Sequence, residues 1–118
     1  MITIYHNTRC KKSREGLNML ENSEKEFRIR EYLKEPLSEK ELEDLLGKLA
    51  MAPIQLIRTK ETIWKEKFQD KDLSDQELIN IMTKYPKLIE RPIIESKNAA
   101  IVGRPIENLE NFLKKFSE

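Results

Sequence analysis

Residues 1–20 read MITIYHNTRCKKSREGLNML, and the stretch changes character midway. Thr3 to Tyr5 lies in an apolar, β-branched run that suits a strand, whereas Leu17 and Leu20 recur at helical spacing. Between them a polar turn leads to Cys10, so the chain opens with a strand, a turn and a helix. Glu26 to Arg30 then alternates polar and apolar through Phe27 and Ile29, which predicts a second strand. Strands joined across a helix pair in parallel, and the opening is therefore a βαβ unit.

The middle of the chain carries helix signals instead. Ser38 with Glu41 forms a capping box ahead of Leu42, Leu45, Leu46 and Leu49, and Ser74 with Glu77 repeats it ahead of Leu78, Ile81, Met82 and Tyr85. Pro53 is placed to start a short helix bearing Ile54 and Ile57, and Trp64, Ile63 and Phe68 supply apolar packing. The charged stretch from Lys65 to Asp72 reads as a solvated connection. After Tyr85-Pro86, Ile93 and Ile94, a Ser96-Lys97-Asn98 turn and Ala99 to Val102 predict a hairpin. Gly103-Arg104-Pro105 breaks that strand, and Pro105 suits the first position of a closing helix carrying Ile106, Leu109, Leu113 and Phe116. The order βαβ, helices, ββα fits an α/β, thioredoxin-like mixed sheet with an inserted helical layer at about residues 36–86 of a single domain, 1–118.

Composition narrows the function. The 118 residues include 22 lysines and arginines against 21 aspartates and glutamates, a balance that gives no global attraction to nucleic acid or an anionic membrane. No apolar run approaches a spanning helix, and no signal-peptide layout precedes the first strand, so a cytoplasmic protein is expected. One cysteine excludes an internal disulfide, and with one histidine it cannot furnish a zinc site. A reduced thiol with no bound metal is the expectation.

That thiol stands where a helix begins. Unpaired N–H groups and the positive end of the helix dipole favour a thiolate there. Arg9, Lys11, Lys12 and Arg14 surround Cys10 with positive charge, and a protonated His6 would add to it; the sequence does not say which of these side chains faces the sulfur.

Tyr5-His6-Asn7-Thr8-Arg9-Cys10-Lys11-Lys12-Ser13-Arg14 closely resembles the active-site loop of the glutaredoxin-dependent arsenate reductases, the ArsC-like branch of the thioredoxin fold. Leu56-Ile57-Arg58, Leu88-Ile89-Glu90-Arg91-Pro92-Ile93 and Gly103-Arg104-Pro105 resemble that family's three arginine-bearing motifs, in order. The resemblance implies Cys10 as nucleophile and Arg58, Arg91 and Arg104 as oxyanion ligands, roles suited to guanidinium forks that pair charge with bidentate geometry. It also implies glutathione as co-substrate, glutaredoxin as partner, no bound cofactor, and a proline at Pro92 held in cis beside the cysteine. His6 resembles a position of the family's loop, which implies a role in stabilising the thiolate, with a hydrogen-bonded histidine at the strand end as the other reading; Asn7 suits the turn itself. Ser13 stands where a CxxC motif would place a second sulfur, so the resolving thiol comes from outside; its hydroxyl either bonds the thiolate or serves the first helical turn. Many family members carry proline at the position of Thr8 and smaller polar residues at Lys11 and Lys12. Two alternatives stay open: a glutathione-linked thiol oxidoreductase acting on another substrate, and a non-catalytic RNA polymerase-binding regulator of the same fold.

Overall fold

A computed structural model describes residues 1–115; Phe116, expected in the closing helix, lies outside the described residues. Along the chain come β1 (Ile2–Tyr5), α1 (Lys11–Asn22), β2 (Phe27–Arg30), α2 (Glu39–Leu49), α3 (Pro53–Leu56), α4 (Thr62–Lys67), α5 (Asp75–Lys84), a 3₁₀ turn (Pro86–Leu88), β3 (Ile93–Glu95), β4 (Ala100–Val102) and α6 (Ile106–Lys115). Two compact units divide it. One joins Met1–Glu35 to the chain from Arg91 onward, and the other is Pro36–Glu90.

The first unit is built on a four-stranded sheet in the order β2-β1-β3-β4. β1 runs parallel to β2, pairing Ile2 with Phe27 and Tyr5 with Arg30. It runs antiparallel to β3, pairing Thr3 with Glu95 and Tyr5 with Ile93. β3 and β4 form the expected hairpin, Ile93 opposite Val102, closed by a Ser96 N–H bond to the Ala99 carbonyl of 2.7 Å. The βαβ and ββα halves thus share one mixed sheet.

Alternation along the strands sorts their side chains. Ile2, Ile4 and Ile94 form a core with Leu20 of α1 and Leu109, Phe112 and Leu113 of α6, each buried aliphatic stabilising the fold by roughly 1.5–3 kcal/mol. The intervening residues are tied by polar contacts: Tyr5 Oη donates to Glu95 Oε1 at 2.6 Å, and Arg28 Nε donates to Thr3 Oγ1 at 3.0 Å. All four β1 residues are buried, as an interior strand requires. On the edge strand β2, Ile29 stays about half exposed, at 49%.

Gly16 and Gly103 both approach Pro92. A Cβ on Gly16 would lie 3.1 Å from Pro92 Cγ, and one on Gly103 would lie 3.3 Å from the same atom and 3.0 Å from Ile94 Cδ1. Gly103 also donates its N–H to the Pro92 carbonyl at 2.8 Å. The Arg91-Pro92 bond is cis, as is Arg104-Pro105. Pro105 precedes α6 instead of occupying its first position.

The second unit is helical. Both capping boxes form, Ser38 with Glu41 on α2 and Ser74 with Glu77 on α5, and the two helices bury Leu42, Leu45, Leu46, Leu78, Ile81 and Met82. α2 ends in a left-handed residue, Ala50 at φ 55°. Ile57, expected within the short helix, instead follows α3 and makes a bridge with Ile89. Lys65–Lys67, expected in a solvated connection, complete α4. The reason is apolar anchoring one turn apart: Trp64 is buried, its ring 5.9 Å from Phe68, which in turn lies 5.6 Å from Tyr85. Lys65 and Lys67 are exposed, with Lys67 Nζ 5.5 Å from the centroid of the Tyr85 ring. Among the described residues no helix is long and apolar enough to cross a membrane.

Two glycine substitutions should move stability in opposite directions. Gly16→Val forces branched methyls against Pro92 and Ile4, and urea unfolding should show a loss of about 1–3 kcal/mol. Gly47→Ala, in a helix with nothing within 4 Å of the new methyl, should gain up to about 1 kcal/mol.

Candidate active site

The site lies in the first unit, where β1 gives way to α1. His6 extends the strand by one residue, its N–H donating to the Arg30 carbonyl at 2.9 Å. The chain then turns tightly. Asn7 Oδ1 accepts from the Arg9 N–H at 3.0 Å, and the Asn7 carbonyl accepts from the Cys10 N–H at 3.0 Å, the local side-chain bonding for which asparagine is favoured in turns. Arg14 reaches back from the helix, Nη1 donating to the Thr8 carbonyl at 3.0 Å. Cys10 therefore enters α1 at the N-cap, extended at φ −93° and ψ 122°.

Ser13 is fully buried, and its hydroxyl is already committed. It accepts from the Asn7 N–H at 3.0 Å and lies 2.5 Å from His6 Nδ1. What Ser13 presents to the sulfur is its backbone N–H; its hydroxyl is engaged by His6 and Asn7 of the preceding loop, which is neither of the two roles expected for it.

His6 is buried as well, and this decides its charge. Burial lowers its pKa, Glu31 opposes that, and Arg14 pushes in the same direction as burial; the net shift is downward. His6 is neutral near pH 7 and adds no positive charge to the loop, in contrast to the protonated form considered from the sequence.

Opposing forces act on Cys10. Partial burial is the largest single influence and disfavours the thiolate, but a side-chain hydrogen bond from Arg91, the backbone N–H of Ser13, the Coulomb field of Arg91 and the backbone N–H of Lys12 together outweigh it. The thiol pKa falls below its ordinary value. The side chain does not form a conventional capping bond; the first-turn N–H groups act as oriented dipoles on a partly buried sulfur. The guanidinium at the sulfur is that of Arg91, some eighty residues away in sequence, and not one of the four basic neighbours of Cys10.

Arg91 is thus brought to Cys10, with Pro92 behind it against Gly16. Arg104 follows Gly103, whose N–H holds the Pro92 carbonyl, so the two Arg-Pro segments are tied through the backbone; the Arg104 side chain is exposed. Arg58 belongs to the second unit, where it is held by carboxylates: Nη1 lies 2.9 Å from Glu61 Oε1 and Nε 3.5 Å from Glu90 Oε1. Sequence reading missed these two glutamates. Glu61, one turn after Arg58, carried a detectable signal; Glu90 did not. Among the described residues no group of three or more histidine, cysteine or acidic side chains is arranged to hold a metal.

Comparison with known proteins identifies the family. Residues 5–112 match the model of the ArsC family. The chain is 43% identical over 110 residues to an Escherichia coli (strain K12) protein named "Uncharacterized protein YfgD", covering 92% of each. It is 38% identical over 114 residues to the arsenate reductase of Neisseria meningitidis (serogroup A), covering 95% of this chain and 97% of that one. Among solved structures, the arsenate reductase of Vibrio cholerae superposes with a TM-score of 0.87 at 39% identity, over 93% of this chain and 95% of the other.

Two measurements check the electrostatics. Arg91→Gln should move the pH profile of Cys10 alkylation by iodoacetamide to higher pH, since the substitution removes a group that favours the thiolate; an unmoved midpoint would place the responsible charge elsewhere. For His6, a folded-state pKa below the unfolded value of about 6.5 means that the unfolded chain binds the proton first. Stability is therefore complete above about pH 7 and declines as pH drops from there toward the lowered pKa, and His6→Asn should flatten this decline in urea melts.

Proposed function

The chain belongs to the ArsC family, and from that premise we propose that it is an arsenate reductase whose Cys10 thiolate attacks bound arsenate. The observation that carries the reading is the Arg91 guanidinium at the Cys10 sulfur. A thiolate and an oxyanion repel each other, and a guanidinium serving both lowers the repulsion while fixing an oxygen by bidentate bonding. Arg91 and Arg104 act as oxyanion ligands. Arg58 is assigned the same role by resemblance alone.

In this mechanism Cys10 Sγ forms a bond to arsenic and an arsenate oxygen departs as water. Glutathione then attacks the adduct, and the two electrons that reduce arsenic(V) to arsenic(III) come from the two sulfurs, which join as a mixed disulfide. Arsenite leaves. Glutaredoxin, with further glutathione, returns Cys10 to the thiol. With one cysteine in the chain, the second sulfur comes from a partner, so glutathione is consumed as a co-substrate and no resident cofactor takes part. A reaction that consumes reduced thiols suits the cytoplasm.

Purified protein given arsenate, glutathione and glutaredoxin should release arsenite, Cys10→Ser should abolish release, and Arg91→Gln should lower kcat/KM by about a hundredfold. Background activity in the wild type would sink the assignment. Formation of the glutathione mixed disulfide without protection of Cys10 by arsenate would select a thiol oxidoreductase of other substrate.

A further inference from the structure

Ser13 is fully enclosed and His6 nearly so, and the two meet beneath the loop that carries Cys10. Among the described residues Ser13 Oγ has two hydrogen-bond partners, the Asn7 N–H at 3.0 Å and His6 Nδ1 at 2.5 Å. A hydroxyl owns one proton and two lone pairs. The Asn7 N–H takes one lone pair, so the proton has a single acceptor within reach, the Nδ1 lone pair of a ring that is neutral near pH 7. The opposite arrangement, Nδ1–H donating to the serine, would leave a buried hydroxyl proton with no acceptor, which is costly. The ring is therefore the tautomer with its hydrogen on Nε2. Glu31 and Arg14 are the charged groups that act on it, with opposite signs.

This buried contact reaches the sulfur through the backbone. Ser13 is the third residue of α1, and its N–H and that of Lys12 are both directed to Cys10. With the hydroxyl held by Asn7 and His6, the first helical turn is fixed to the end of β1, and the direction of those N–H groups is fixed with it. We propose that Ser13, clamped by the Nδ1 acceptor of His6, is a positioning residue that holds the first-turn N–H groups on the Cys10 sulfur. His6 then acts at one remove, as an uncharged acceptor and not as a cation beside the thiolate. This role goes beyond the proposed reaction: it belongs to the ionisation of the thiol, whatever the thiolate attacks.

Two measurements test the clamp. With a single histidine in the chain, the imidazole nitrogens of untagged, nitrogen-15-labelled protein give one pair of resonances, and near neutral pH these should report the Nε2–H tautomer. The pH midpoint of Cys10 alkylation by iodoacetamide reads the consequence. Ser13→Ala and His6→Leu should each raise it by about one pH unit, and the double variant should rise no further, since both changes break one contact. His6→Asn should restore the wild-type midpoint, because its amide oxygen stands where Nδ1 stood and accepts the same proton without titrating. The tautomer, read on the wild type, decides the matter even where a variant fails to fold. An Nδ1–H tautomer overturns the clamp. So does a midpoint unmoved by Ser13→Ala, or one raised as far by His6→Asn as by His6→Leu, which would return the effect to the charge of the imidazole. Additive shifts in the double variant overturn it too, since the two residues would then act by separate routes. Absence of arsenite release with these results intact would count against arsenate as the substrate and not against Ser13.

Discussion

Tyr5 of β1 pairs antiparallel with Ile93 of β3, and the direction of that pairing places the chemistry. Where β1 leaves the sheet toward His6 and Cys10, the neighbouring chain is entering it from Arg91 and Pro92. Residues separated by most of the sequence therefore meet at one end of two adjacent strands. A slip by one residue would reverse every side chain of β3 between the two faces of the sheet, removing Ile94 from the core it shares with Ile2 and Ile4. The apolar core thus enforces the register, and the register delivers Arg91 to the sulfur.

Around that meeting point the backbone leaves no slack. Pro92 packs against Gly16 of α1 and Gly103 after β4, at distances a side chain on either glycine would violate. Asn7, Ser13 and Arg14 use their side chains to hold the turn, so the loop is organised before any ligand arrives. For the nucleophile proposed above, dipoles already aligned toward the sulfur would not have to reorient during reaction. The sulfur is partly buried, which by itself would suppress ionisation; oriented N–H groups and one guanidinium reverse the sign. His6, buried and neutral, contributes by position and not by charge.

The helical unit shows how a charged sequence hides packing. Capping boxes at Ser38 and Ser74 were legible because a serine and a glutamate three residues on are a local pattern, satisfied within one turn. α4 was not, since Trp64 and Phe68 are embedded among Lys65, Glu66 and Lys67, and the composition of the window outweighs two anchors. Arg58 was legible as a motif, but its partners were legible only in part. Glu61 lies within the same turn, whereas the bond to Glu90 depends on Ile57 meeting Ile89 across a bridge.

The sequence alone determined the succession of strands, the capped helices, the position of Cys10 at the start of a helix and the count of one cysteine. Each of these is local or a matter of counting: periodicity, caps, and a single cysteine. Tertiary structure decided which charges act. Arg9, Lys11, Lys12 and Arg14 are the nearest cations in sequence, yet the guanidinium that acts on the sulfur belongs to Arg91, while Ser13 turns its hydroxyl to His6 and only its N–H to Cys10. Electrostatic influence depends on distance and burial in space, and both are fixed by the pairing of β1 with β3, which no window of neighbouring residues contains.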